Sequence, residues 1–226
     1  MRKPVVDYRE FRLSRLNEPR FSHLKLLAGW IAYFLAYFLT EKLIPSEACY
    51  PVHCWLDDVI PFCEWFLIPY VGWYLLVVGS LLYFMLYNVD SFKKLQTYII
   101  ITQVVAVVIY ILLPSRQDLR PEEFLRDNFL TRCTTFIYSV DTNTGVCPSL
   151  HVAYSLGIAS VWVREKGVSL LWKFCVVIAV LLICLSTLFL KQHSALDALA
   201  ALPVCLLAEL VVYGKDYLRR VAPARR

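Results

Sequence analysis

The chain has 226 residues, of which 59% are hydrophobic, and its mean hydropathy is +0.57. Soluble domains contain about 45–50% apolar residues, so this composition excludes an ordinary soluble fold and favours a single membrane-embedded domain. The 23 basic and 18 acidic residues give a net charge of +5. Because the basic residues flank apolar stretches, they indicate contact with cytosol and anionic lipid headgroups and argue against nucleic-acid binding.

Six apolar stretches predict membrane-spanning helices, because about 20 apolar residues cross the hydrocarbon core. They cover residues 24–44, 62–87, 97–113, 150–163, 168–188 and 193–213. The fourth stretch is short, and the sixth contains ionisable residues. Asp57, Asp58 and Glu64 predict a short interfacial segment before the second crossing. The sequence therefore predicts an all-α, polytopic membrane protein with six transmembrane helices.

Lysine and arginine residues orient these spans, since short cytoplasmic loops are enriched in both. The segments predicted to be cytoplasmic are the basic N-terminal tail (1–24), the loop with Lys93 and Lys94, the loop with Arg164, Lys166 and Lys173, and the basic C-terminal tail (214–226). The intervening residues 25–213 then form one six-span domain. Its loops at 45–61 and 114–149 lie outside, although the second contains Arg116, Arg120, Arg126 and Arg132. Arginines in an outer loop need a functional explanation.

Ionisable residues at the ends of spans are costly to bury and are functional candidates for that reason. Arg116 and Arg120 follow the third span, and their planar guanidinium groups suit the oxygens of a phosphate. Two arginines at a membrane surface are, by themselves, equally consistent with lipid headgroup contacts.

A second group stands at the start of the fourth span. Pro148 suits the first turn of a helix and Ser149 can cap it, which leaves backbone N–H groups and the positive end of the helix dipole for an anion. His151 in the same turn is placed to protonate a leaving oxygen. A single histidine at a helix start is, however, more often a cap or an interfacial residue.

A third group lies between the fifth and sixth spans. His193 and Asp197 are four residues apart, so on a helix the carboxylate reaches one ring nitrogen and leaves the other as a nucleophile. An ionisable pair in an otherwise apolar span favours function over structure. With the predicted topology, all three groups meet at the outer face.

The order of these residues resembles the three signature motifs of the type 2 phosphatidic acid phosphatase superfamily. The motifs are Arg-Pro at 120–121, Pro-Ser-Leu-His at 148–151, and a third that runs from Ser186 to His193 and Asp197. The resemblance covers most of the chain from Leu113 onward. Residues 60–74 also resemble the second span of bacterial members, and six spans are what the family implies.

The resemblance implies a role for each matching residue. Arg120 and Ser149 bind phosphate, His151 is the general acid, His193 attacks phosphorus, and Asp197 orients His193. The chain departs from the common pattern at Leu113, Leu150 and Thr187, where the family usually has lysine, glycine and arginine. Arg116 and Lys191 are the substitute phosphate-binding cations. Pro-Ser-Leu-His is similar to the subgroup of inositol phosphorylceramide synthases and many bacterial phosphatases.

The expected function is therefore an integral membrane phosphatase that hydrolyses a lipid phosphate monoester or pyrophosphate through a phospho-histidine, without metal or other cofactor. The expected location is the bacterial plasma membrane, with the site facing outside. Two alternatives stay open: a phosphotransferase with a lipid alcohol acceptor, as in sphingolipid synthases, and a non-catalytic transporter, which the clustering of charge at one face disfavours. Disulfides among the cysteines of the outer loops, Cys49, Cys54, Cys133 and Cys147, also stay open.

Overall fold

The apolar stretches of the sequence form long helices in the computed structural model, which describes residues 4–221. The described residues contain eight α-helices: α1 (Ala28–Leu43), α2 (Trp55–Val59), α3 (Leu67–Tyr87), α4 (Val89–Leu112), α5 (Phe129–Val140), α6 (Leu150–Arg164), α7 (Leu170–Phe189) and α8 (Ala195–Val221). Two short strands, β1 (Tyr50–Pro51) and β2 (Ser115–Arg116), pair in parallel with Tyr50 opposite Ser115. The prediction of a helical fold is confirmed, and it did not include the strand pair.

Six helices run alternately up and down through the bundle: α1, α3, α4, α6, α7 and α8. Helix α6 lies at the centre, packed against α3, α4, α7 and α8. We call the end of the bundle where α1, α4 and α7 finish and α3, α6 and α8 begin the site end. Close packing explains one glycine of α6, because a Cβ on Gly157 would lie 2.5 Å from the ring of Tyr98 on α4.

Five helical segments are long and apolar enough to cross a membrane: Ser22–Leu43, Glu64–Tyr87, Val89–Leu112, Leu170–Phe189 and Ala195–Leu218. The predicted fourth span corresponds to α6, which has 15 residues and is about 22 Å long, less than the roughly 30 Å of a hydrocarbon core. The chain is thus a helical protein with five segments fit to span a membrane. A spanning role for α6 stays a prediction.

Large apolar side chains cover the outside of the bundle. Helix α1 has no buried residue, and its Ile31, Phe34 and Phe38 are all exposed. Leu170 and Leu171 are exposed in the same way at the start of α7. Water disfavours an apolar surface of this extent, whereas lipid chains accept it. The surface therefore agrees with the membrane assignment made from composition.

Element boundaries differ from the prediction at several points. Lys93 and Lys94 lie within α4, so the loop predicted around them shrinks to the turn at Asn88. The outer loop 114–149 contains α5, which the sequence reading did not include. Helix α8 continues to Val221, eight residues into the predicted C-terminal tail. All eight cysteines are free thiols. The predicted cytoplasmic residues Arg2, Lys3, Arg225 and Arg226 lie outside the described residues.

The described part of the N-terminal tail packs against the end of the bundle opposite the site end. Phe21 is fully buried and His23 nearly so. The Tyr8 hydroxyl lies 2.7 Å from His23 Nε2 and donates a hydrogen bond to the carbonyl of Met85. This segment is therefore part of the folded bundle rather than a free basic tail.

Candidate active site

The turn between α7 and α8 carries His193 and is fixed by hydrogen bonds at both sides. The backbone N–H groups of Gln192 and His193 both donate to the carbonyl of Thr187 in α7. Ser194 Oγ accepts from the N–H of Leu196, and the N–H of Ser194 donates to Asp197 Oδ2 at 2.9 Å. Ser194 therefore caps α8 through its second residue, and the Asp197 carboxylate makes the return bond from the third residue to the cap. The start of α8 thus holds Asp197 in a set position.

Asp197 contacts His193 as predicted, although His193 lies in the turn before α8 and not on the same helix. His193 Nδ1 lies 3.3 Å from Asp197 Oδ2, a long hydrogen bond by usual geometry. His193 is 8% exposed and Asp197 is fully buried. A carboxylate at Nδ1 favours the tautomer with its proton there, which leaves the Nε2 lone pair for reaction. The carboxylate therefore holds one ring nitrogen of His193 and leaves the other unused by this contact.

Asp57 of α2 supports this turn from behind, and sequence reasoning assigned it no functional role. Its Oδ2 accepts from Ser194 Oγ at 2.5 Å and from the N–H of Cys54 at 2.8 Å, and its Oδ1 accepts from the N–H of Ala195 at 2.8 Å. Burial alone would raise the pKa of Asp57, but these hydrogen bonds outweigh it and hold the pKa below its usual value. Asp57 is therefore a charged brace beneath the residue that follows His193.

Lys191 lies in the same turn but points to α2. Its ammonium donates to the backbone carbonyls of Asp57 and Ile60 and is buried. Burial lowers the pKa of Lys191, and the nearby Asp57 and Asp58 carboxylates partly offset the effect. Its φ of 53° is in the left-handed region, which costs free energy for a non-glycine residue. The structure thus uses Lys191 to tie the turn to α2 and does not bring it to His193.

The start of α6 lies beside the start of α8. Ser149 is fully buried, its Oγ accepts from the N–H of Val152, and its own N–H donates to the carbonyl of Asp197 at 3.1 Å. Ser149 therefore acts as the predicted cap, but its N–H is already occupied. The first N–H groups of the helix, those of Leu150 and His151, have no partner within α6, as at any helix start. They are the amides available to an anion.

His151 lies next to His193 and is surrounded by aromatic rings. The two imidazole centroids are 5.6 Å apart, with the ring planes at 64°. The rings of Tyr70 and Trp73 from α3 lie 4.9 Å and 4.2 Å from His151. His151 Nε2 is buried and has no hydrogen-bond partner among the described residues. The structure thus brings together the two histidines that the sequence paired.

Arg120 is connected to the His193 turn by hydrogen bonds. Its guanidinium donates to the carbonyls of Tyr138, Asp141 and Thr142 and to Gln192 Oε1 at 2.7 Å. These four bonds use every N–H of the guanidinium except that of Nε, which is buried and has no partner among residues 4–221. Arg120 therefore joins the end of α5 to the residue before His193, and its positive charge lies within that junction.

Arg116 lies elsewhere. It forms an ion pair with Asp118 at 3.0 Å and donates to the carbonyls of Ser46 and Cys49, next to the β1–β2 pair. These contacts stabilise the loop between α1 and α2. Among the described residues, Arg116 has no hydrogen bond or ion pair with His151, His193 or the turn around them. Of the three predicted cations, Arg120 is the one whose side chain binds the residue before His193, Gln192.

Asp141 and Cys147 are two further ionisable residues at the site. Asp141 lines the same cavity as His193 and accepts a hydrogen bond from the Tyr70 hydroxyl at 3.4 Å. Burial raises the pKa of Asp141 despite the opposing charges of His193 and Arg120. Burial, with a smaller contribution from Asp197, raises the pKa of Cys147 to about 12, so its thiol is neutral. Sequence reasoning missed Asp141, and its one signal was an acidic residue shortly before Pro-Ser-Leu-His.

An apolar cavity of about 620 Å³ begins at the site end and runs into the bundle. Asp141, His151 and His193 line its site end, and Leu27, Met85 and Phe92 line the far end. The walls between are mainly aromatic and come from α1, α3, α4 and α6: Trp30, Tyr33, Phe34, Tyr37, Trp73, Tyr74, Tyr110 and Tyr154. The cavity thus joins a polar head with two histidines to a long apolar channel.

Comparison of the chain with protein-family models, with curated proteins and with solved structures gives no match.

Proposed function

We propose that this chain is an integral membrane phosphatase that hydrolyses a lipid phosphate monoester or pyrophosphate through a phospho-histidine on His193. The observation that carries the proposal is the pairing of His193, with Asp197 at its Nδ1, and His151 at the head of an apolar cavity. The phosphate group of a lipid fits the polar head, and its chain fits the aromatic walls. The motifs that resemble the phosphatase superfamily support the same assignment.

In the first step, the lone pair of His193 Nε2 attacks phosphorus and the bond from phosphorus to the lipid oxygen breaks. His151 gives a proton to that oxygen, so the lipid alcohol leaves neutral. The negative charge of the bound phosphate favours the imidazolium form of His151 that this step needs. Asp197 stabilises the positive charge that develops on His193.

In the second step, water attacks the phosphorus of phospho-histidine while His151, now neutral, takes the proton of the water. The phosphorus–nitrogen bond breaks, and inorganic phosphate leaves. The Arg120 charge and the first N–H groups of α6 stabilise the phosphate oxygens in both steps. The set of phosphate ligands is thus smaller than the motifs imply, because Arg116 and Lys191 bind carbonyl groups elsewhere.

The membrane topology belongs to the same proposal. Six spans with both termini in the cytosol, α6 included, place the site end at the outer face of the membrane. The basic residues near the opposite end, Lys93, Lys94, Lys166 and Lys173 among them, support this orientation by the positive-inside rule.

The test is phosphate release from a panel of lipid phosphates by the purified protein in detergent, where no membrane gradient exists. The wild type is expected to release phosphate, and His193→Ala to lose at least about 1000-fold in rate. His53→Ala is the matched control, because His53 is exposed and pairs with Asp58 away from the cavity. Added alcohol acceptors distinguish transfer from hydrolysis, since transfer yields a phosphorylated alcohol in place of inorganic phosphate. Turnover that survives in His193→Ala contradicts the proposal.

A further inference from the structure

The far end of the cavity is closed by the N-terminal part of the chain, which has no role in the proposed chemistry. Leu27, Met85 and Phe92 line this end. Leu27 is the last residue of the 3₁₀ turns at Ser22–Leu27, which lead into α1. We call residues 5–27 the floor segment. It supplies one lining residue itself and contacts the other two.

Hydrogen bonds fasten the floor segment to the end of α3. The Tyr8 hydroxyl donates to the carbonyl of Met85 at 2.7 Å and lies 2.7 Å from His23 Nε2. Because its single proton is used on Met85, the hydroxyl oxygen accepts from the Nε2–H of His23. The N–H of Val5 donates to the carbonyl of Leu86 at 2.8 Å. The position of the segment is therefore tied to the position of Met85.

Aromatic rings fill the space behind the lining residues. The His23 ring stands edge-on to Phe92, with centroids 5.5 Å apart and the planes at 83°. Phe21 is fully buried, and its ring lies 6.3 Å from that of Tyr8 and 5.4 Å from that of Phe11. A layer of buried rings in mutual contact has little free volume and resists compression. The far end of the cavity is thus a packed floor rather than a loose tail.

The distance from the histidines to this floor follows from α3. Trp73 lies at the site end, where its ring centroid is 4.2 Å from that of His151. Met85 follows Trp73 by 12 residues in the same helix, which places it about 18 Å deeper. An extended chain of carbon atoms, with bonds of about 1.5 Å at an angle of about 111°, advances about 1.25 Å per atom. The depth therefore holds about 14 carbons.

On the basis of the proposed function, we propose that the floor segment limits the length of the substrate's hydrocarbon chain. Met85 and Phe92 are the surface that the end of the chain meets, and Tyr8 is a positioning residue behind them. Up to about 14 carbons, each added carbon buries more apolar surface against the cavity wall. A longer chain must coil or displace the packed layer, and overpacking of this kind is destabilising. Affinity should therefore pass through a maximum as the chain lengthens.

The test measures binding of non-hydrolysable alkyl phosphonates, whose chains range from about 8 to 20 carbons around the expected length, to the full-length protein in detergent. The molar ratio of ligand to detergent is held constant. Trp30 and Trp73 line the cavity, so intrinsic tryptophan fluorescence reports occupancy. We expect the highest affinity at about 14 carbons and at least about fivefold weaker binding at 20 carbons.

Two variants connect the maximum to the floor. Phe92→Leu removes ring volume there and is expected to move the maximum about two carbons longer. Tyr8→Phe loses the bond to Met85 and should reduce the discrimination against 20 carbons at least about threefold, although Tyr8 lies behind the lining. Phe84→Leu is the matched control, because Phe84 is as fully buried as Phe92 but, among the described residues, does not line the cavity. It should lower the melting temperature and leave the maximum unmoved.

The outcomes separate this inference from the proposed function. Affinity that rises steadily to the longest phosphonate, or the absence of any binding, would overturn the inference. A maximum that is unmoved in Phe92→Leu and Tyr8→Phe, or one that moves equally in Phe84→Leu, would overturn it as well. Phosphate release that depends on His193 without a length maximum would leave the proposed function intact. A maximum that responds to Phe92 without any phosphate release would contradict the phosphatase and leave the floor in place.

Discussion

Asp57→Asn tests whether the brace beneath the His193 turn matters for both stability and catalysis. The carboxylate accepts three hydrogen bonds, from Ser194 Oγ, Ala195 N–H and Cys54 N–H, at 2.5–2.8 Å. Asparagine keeps the shape but turns one oxygen into an NH₂ group that faces a donor. The substitution therefore removes at least one bond and the charge that strengthens the others.

The magnitude follows from these bonds. A hydrogen bond to a charged group contributes about 1.5–3 kcal/mol, and the loss of one with weakening of two gives about 2–4 kcal/mol of destabilisation. Ser194 follows His193 directly, so the His193 side chain shifts when the turn relaxes. A displacement of this kind is expected to lower kcat by about 10- to 100-fold, with a smaller change in KM.

The assay is thermal unfolding in detergent together with phosphate release from a lipid phosphate. Asp58→Asn is the control, because Asp58 is the exposed neighbour and pairs with His53. Since the folded pKa of Asp57 is lowered, its stabilisation is fully present above the unfolded pKa of about 3.9 and lost as pH falls through the folded pKa. The stability gap between wild type and Asp57→Asn should therefore narrow only in acid. Equal stability and kcat for Asp57→Asn and Asp58→Asn would refute the reasoning.

Three further substitutions give separate expectations. Arg120→Lys keeps the charge but has three donors for four hydrogen bonds and lacks the planar guanidinium that fits them, so the turn before His193 shifts and kcat/KM is expected to fall by about 10- to 100-fold; unchanged kinetics would show that this junction does not position the turn. Because the pKa of Asp141 is raised, its carboxylate ionises as pH rises and then repels the phosphate of the substrate. Asp141→Asn should therefore lower KM at neutral pH and flatten the rise of KM with pH. An unaltered pH profile of KM would contradict this. Gly157→Ala places a Cβ against Tyr98 and should destabilise by about 1–3 kcal/mol, measured by thermal unfolding, whereas a wild-type melting temperature would show that α4 and α6 can separate.

The sequence predicts local features of the site well, because they depend on residues close together in the chain. The spacing of His193 and Asp197 predicts their contact, and Ser149 caps α6 as Pro148-Ser149 indicates. The convergence of His151 and His193 follows from the alternation of spans, since the start of one helix and the turn before another meet at the same end. These parts need only short separations along the chain, helix capping and topology.

The remaining features depend on contacts between distant segments, which a single sequence does not encode in any local pattern. Asp57 reaches Ser194 across 137 positions of the chain. The direction of the Lys191 side chain follows from a left-handed turn and two carbonyls of α2. Arg116 lies away from the site because it binds carbonyl groups next to the β1–β2 pair. The two-residue strands of this pair are too short to be predicted from a sequence pattern.

The central claim is that His193 becomes phosphorylated during turnover. The direct measurement is to stop the reaction of the wild type with a lipid labelled in its phosphate, under alkaline conditions that preserve phospho-histidine, and to locate the label by mass spectrometry of peptides. The account predicts a phosphoryl group on His193 that is absent from His193→Ala and increased in His151→Ala when a substrate with a good leaving group is used. Label on another residue, or turnover without any labelled protein, would contradict it.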